Sequence, residues 1–187
     1  MTIVYVVIGV LVVLVLAYIV INNSLISARN KCDEAWSGID VQLKRRHDLV
    51  PNLVETVKGY AAHERETLTR VTDARAGAVA ADNAAPPQRA QAESALSAAL
   101  GGIRVVAEQY PQLRAAENFT RLQAQLAEIE DEIQAARRIY NSNVQIYNTR
   151  QQVFPNSIVA ARGDFQPREF FEIEVASERD VPQVSFS

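Results

Sequence analysis

The chain has 187 residues, 48% of them hydrophobic, which is enough for one domain with a sizeable core. Nineteen basic against 22 acidic residues leave a net charge of −3, so no positive excess points at nucleic acid, and the aromatic–basic interleaving of RNA readers is missing. A single cysteine, Cys32, excludes an internal disulfide framework and any multi-cysteine metal site.

Residues 3–21 read IVYVVIGVLVVLVLAYIVI, without charge or proline. As a helix this stretch is about 28 Å long, close to the hydrocarbon thickness of a bilayer. No basic residue precedes it, and the sequence NNSLI behind it offers no cleavage site, so it reads as a retained anchor over residues 1–23. The partner of Ile3, Tyr5, Leu11, Leu16, Tyr18 and Ile21 is then the lipid bilayer. Arg29, Lys31, Lys44, Arg45 and Arg46 all follow the anchor, and none precedes it. The positive-inside rule therefore predicts a single-pass protein with its N-terminus outside and its C-terminal domain in the cytoplasm.

Residues 24–154 are predicted to form an antiparallel up-down bundle of about four long helices, so the fold class is all-α. In the first, Leu25, Ala28, Cys32, Ala35, Trp36, Ile39 and Leu43 follow the spacing of one helical face. On that face Cys32 reads as a small core residue. The chain is expected to break around RRHDLVPN, with Asp48 as a cap, because proline is tolerated only in a helix's first turn. Pro51 then marks either a full reversal or a kink in one very long helix. The second helix carries Val50, Leu53, Val54, Val57, Tyr60, Ala61, Leu68 and Val71, and Pro86-Pro87 marks a loop. The third, over 88–109, uses mostly small contacts at Ala92, Ala95, Leu96, Ala99, Ile103 and Val106. Gly101-Gly102 inside it is read as a kink, with close approach of another helix as the alternative.

The fourth helix, over 112–152, is the most regular. Phe119, Leu126, Ile133, Tyr140, Tyr147 and Phe154 recur every seven residues, with Leu122, Ile129 and Ala136 between them, a coiled-coil-like seam. The paired dipeptides Tyr140-Asn141 and Tyr147-Asn148 sit on or beside this stripe, as a packed seam, a binding face or a chance repeat. Residues 155–187 show no sustained period and are expected to be an extended tail. Phe165, Phe170, Phe171 and Phe186 are its candidate docking points, on lipid, on the bundle or on a neighbouring subunit.

Chemistry-bearing motifs are scarce. HERET lacks the second histidine of a zinc-protease helix, and there is no phosphate-cradling loop or nucleophile elbow. No catalytic, metal or cofactor residue is assigned, and the chain is not expected to be an enzyme. Glu64 is read as an arginine's partner, and Arg-Gly-Asp at 162–164 as coincidence. Lys44, Arg45 and Arg46 are read as a solvated basic helix end, with anionic lipid as the alternative. Trp36 and Asp40 join them as candidate interaction or packing residues.

The stretches AWSGIDVQLKRRHDLVPNLVETVKGYAAHE and ENFTRLQAQLAEIEDEIQAARRIYNSNVQIYN, followed by FP, FQPREFFEIE and a final PQVSF, resemble the signature of the LemA family of bacterial membrane-anchored helical proteins. The resemblance implies an N-out, single-pass protein of the bacterial cytoplasmic membrane with no established activity. It also makes the Tyr-Asn repeat part of a family motif, so chance drops out; packing or subunit contact by Tyr140, Asn141, Tyr147 and Asn148 stays open. A magnetosome-membrane protein that shapes membrane belongs to the family, which favours a scaffold that forms homo-oligomers. Links of relatives with membrane proteases and envelope stress favour an adaptor that offers its tail, with VPQVSFS adding as a strand to a partner. The scaffold reading rests on an apolar stripe of the fourth helix longer than its partners can cover.

Overall fold

The structure, a computed structural model, describes residues 1–172. All of its regular elements are helices: α1 (Thr2–Tyr60), α2 (Arg65–Ala80), α3 (Pro86–Gln109), α4 (Pro111–Ala115), α5 (Glu117–Gln152) and α6 (Asn156–Arg162). The fold is thus all-α, with four long helices and two short ones among the described residues. It divides into two compact units, Met1–Asp40 with Ala135–Glu169, and Val41–Gln134 with the chain from Phe170.

The expected break at Pro51 does not occur. α1 runs through Pro51 to Tyr60, and the chain reverses only at residues 61–64. A proline inside a helix withholds the amide that the carbonyl four residues back needs. That carbonyl belongs to His47, and Arg75 on α2 supplies the donor instead, its Nε lying 2.7 Å from the oxygen. A side chain distant in sequence thereby replaces the missing backbone bond. Val50, Leu53 and Val57 consequently belong to α1, and only Leu68 and Val71 of the expected second set lie on α2.

In the unit built on Val41–Gln134, the core takes Val50, Leu53 and Val57 from α1, Leu68, Val71 and Ala78 from α2, Leu96, Ile103 and Val106 from α3, and Phe119, Leu122 and Leu126 from α5. Leu113 of α4 joins the same core. Pro86 and Pro87 do not form a loop; they open α3, where a missing amide costs nothing. Gly101-Gly102 leaves α3 unbroken, and a Cβ at Gly102 would lie 3.3 Å from Thr67 Cγ2. Close approach of α2 is therefore what the glycine permits. Glu64 accepts a hydrogen bond from the Tyr110 hydroxyl at 3.0 Å rather than pairing with an arginine.

In the other unit α1 and α5 lie antiparallel. Arg150 Nη1 donates to Ser24 Oγ at 3.0 Å, Asn143 Nδ2 to the Lys31 carbonyl at 3.1 Å, and Trp36 stacks obliquely on Tyr140 with centroids 5.1 Å apart. Leu25, Ala28, Cys32 and Ile39 of α1, with Tyr140, Val144 and Tyr147 of α5, are buried. Burial pushes the Cys32 thiol above its ordinary range, as a small core residue requires. The tail is not extended from its start, because α6 comes first and packs Val159 and Ala160 on Leu25 and Ile21. The first third of α1 is long and apolar enough to cross a membrane, and none of it is buried by the described residues.

Candidate functional site

The Tyr-Asn repeat of α5 holds the chain that follows α6. Asn148 grips the backbone of Arg168 with both ends of its amide, Oδ1 accepting from the Arg168 N–H and Nδ2 donating to its carbonyl, each at 2.9 Å. One side chain thus supplies the paired bonds that a neighbouring strand would give. One heptad earlier, the Tyr140 hydroxyl donates to the Glu169 carbonyl at 2.9 Å. The Arg168 guanidinium reaches α1 and bonds Asp33 Oδ1 at 2.6 Å. Burial pushes the Tyr140 hydroxyl up to about 12, the nearby Arg168 charge opposing the shift, so the phenol stays a donor at neutral pH. Tyr147, also buried, is shifted upward for the same first reason.

Ahead of this clamp, Phe165 packs with the Leu25 cluster, and the Arg29 guanidinium stands 5.8 Å from its ring centroid. A Cβ at position 163 would come within 2.6 Å of that ring, which gives the glycine of the Arg-Gly-Asp tripeptide a packing reason. Beyond the clamp, Phe171 is fully buried, and Phe170 lines a cleft with Pro87, Gln91 and Ser94 of α3. Phe186 and VPQVSFS lie outside the described residues.

A second constellation, not assembled as a site from the sequence, lies in the unit built on Val41–Gln134. Arg46 and Glu93, 1% and 0% exposed, form a buried ion pair. Arg46 Nη1 also bonds Ser97 Oγ and Glu130 Oε2, each at 2.9 Å, and His47 Nε2 lies 2.9 Å from Glu93 Oε1. Burial on its own would raise the Glu93 carboxyl, but the His47 hydrogen bond and the Arg46 charge outweigh it and hold it below its ordinary 4.5. The expected basic helix end is therefore mid-helix. Lys44 and Arg45 face solvent, Arg45 bonding Gln42 at 3.0 Å, while Arg46 faces the core. Arg46, Leu53, Ser97, Gly101, Arg104 and Glu130 line a cleft of about 260 Å³ beside the pair.

A signal for this cluster was present. Arg46 continues the buried series Ile39, Leu43, Val50, Leu53, and Glu93 continues the series Leu96, Ile103 at helical spacing. A charge on an apolar stripe implies a partner on a facing stripe. Trp36, Asp40 and Asn141 are half-buried, and Phe154, the last position of the expected seam, lies beyond the end of α5 and is 80% exposed. Of the anchor residues, Ile3, Tyr5, Leu11, Leu16 and Tyr18 are exposed, and Ile21 touches the α6 cluster. Among the described residues no three His, Cys, Asp or Glu side chains are grouped to hold a metal ion.

A model of the LemA family matches residues 35–186, which takes in the clamp, the buried pair and the tail. The chain belongs to the LemA family. Protein LemA of Metamycoplasma hominis is 26% identical to this LemA-family chain, over 88% of the chain and 74% of the relative. Magnetosome protein MamQ 2 of Paramagnetospirillum magneticum is 24% identical over 85% of the chain and 67% of its own length. Magnetosome protein MamQ of Magnetospirillum gryphiswaldense is 23% identical, over 87% and 69%.

Proposed function

We propose that this LemA-family chain is a non-enzymatic scaffold of the bacterial cytoplasmic membrane, anchored by residues 3–21 with its N-terminus outside and self-associating in the cytoplasm to shape or organise membrane. The observation that carries the reading is a pair of isoleucines, Ile139 and Ile146, seven residues apart on α5 and 59% and 48% exposed. They lie next to Tyr140 and Tyr147 in sequence, about 100° round the helix from that buried stripe, and α1 and the described part of the tail leave them exposed. Exposed apolar side chains at heptad spacing are what a facing helix of a second copy would bury. This narrows the argument from an over-long apolar stripe on the fourth helix, because α1 and the clamp cover its Tyr140–Tyr147 part. The similarity to MamQ supports an assembly on a membrane.

Light scattering and negative-stain images of the full chain in mild detergent test it. The scaffold reading expects a uniform particle of many subunits that shrinks when Ile139 and Ile146 are both changed to Glu. A protomer or dimer in the unaltered chain would sink it. The adaptor reading would then lead, and the family match through residue 186, which takes in most of the tail, favours it as the second choice.

A further inference from the structure

Within one unit, an apolar corner lies beside the base of the apolar helix. From the Arg150–Ser24 contact, α5 runs antiparallel to α1, and each residue advances both helices by about 1.5 Å. Gln152, the last residue of α5, therefore stands level with Asn22, and Val153 and Phe154 follow it directly as the chain turns into α6. The α6 contacts place the corner independently, since Val159 and Ala160 pack on Leu25 and Ile21. At this corner Phe154 is 80% exposed, the most exposed aromatic side chain among the described residues, with Val153 and Ile158 each 47% exposed. Exposed arginines, Arg150 and Arg162, bracket it in sequence.

The geometry points to this corner as a lipid-contacting wedge: Val153, Phe154 and Ile158 enter the headgroup–acyl boundary of the leaflet from which α1 emerges, and Arg150 and Arg162 lie among the phosphates. The inference rests on the membrane-anchor reading of residues 3–21. If that segment crosses the hydrocarbon, Ile21 sits at its edge, and rigid packing through α6 carries the corner to the same depth. That depth is where aromatic rings partition and basic side chains meet anionic headgroups. A lipid surface is the occupant that the position selects, because the apolar corner is continuous with an apolar helix that no other described residue covers. The anchor would then be a helix plus a lateral wedge, which fixes the rotation of α1 and the height of α5 over the bilayer.

Trp36 is the only tryptophan, so a Trp36→Phe background allows single reporters in the full chain. Y18W, F154W and I139W are placed in this background in vesicles of zwitterionic and anionic phospholipid with brominated acyl chains. Ile139 lies about 22 Å along α5 from the corner, a distance set by the helical rise. Y18W and F154W are expected to emit at shorter wavelength and lose intensity to bromine, F154W most when the bromines lie near the headgroup end. I139W is expected to keep its intensity against bromine. F154W as unquenched as I139W, with Y18W quenched, overturns the wedge and leaves the anchor standing. If Y18W is also unquenched, the anchor reading fails and the wedge with it. A blue-shifted F154W that bromine does not quench, and whose shift fades as the protein is diluted in lipid, would assign the corner to a second copy and overturn the wedge.

Discussion

Glu93 is a carboxylate with no exposure, and its ionised state depends wholly on two neighbours of α1, Arg46 and His47. Removing one partner of such a pair strands the other, at a cost of about 3–5 kcal/mol. Glu130, which stays on Arg46, should hold E93Q near the lower end of that range. Urea unfolding should show E93Q losing clearly more than the double variant R46M/E93L, in which neither charge is left alone. The pH dependence has a definite sign. A folded value below 4.5 means that Glu93 stabilises fully above pH 4.5 and that this stabilisation is lost as pH falls through the folded value. Unfolding midpoints collected from pH 6 down to 3 should fall for the unaltered chain, and less steeply for E93Q.

At the scale of elements, two side chains do work that backbone usually does. Arg75 completes α1 across Pro51 by bonding the His47 carbonyl. R75M leaves a buried acceptor unmade and should cost about 1–3 kcal/mol. P51A restores the amide, so the same R75M change should cost less in a P51A background; equal costs in both backgrounds would refute the substitution of one bond for the other. Asn148 likewise stands in for a strand against Arg168. N148A should release the clamp, read as faster hydrogen exchange at the Arg168 amide with little change in the core of the other unit. N148D keeps an acceptor for the Arg168 amide but faces its carbonyl without a donor, so it should rescue only part of the protection.

At the scale of the whole molecule, the tail through Glu172 is occupied by its own chain. Phe165 and Phe171 are packed, Arg168 is clamped, and the outward apolar surface of α5 lies at Ile139 and Ile146. Assembly should therefore survive removal of residues 173–187 and respond to the isoleucines. Light scattering of the chain ended at Glu172 is expected to give the same particle mass as the full chain. A collapse to protomers on that truncation would move self-association from α5 to the end of the tail.

Much of this was legible in one dimension because it is periodic or local. The uninterrupted apolar run of residues 3–21, the heptad positions from Phe119 to Tyr147 and the helical content all follow from side-chain spacing and composition. The sequence by itself also marked Tyr140, Asn141, Tyr147 and Asn148 as a repeat, without saying what they hold. What only the tertiary structure decided are the cases where a residue far along the chain supplies a missing partner. Pro51 reads as a helix end because local rules count only local donors, and Arg75 is a donor 24 residues away. Arg46 reads as solvated because charges usually are, and Glu93, 47 residues on, makes it a core residue. Phe154 reads as one more seam position, but α5 ends at Gln152 and the ring is left in the open. Periodicity fixes which face of a helix is apolar; which partner meets that face, and where a polar group on it finds its counterpart, is set when distant segments pack.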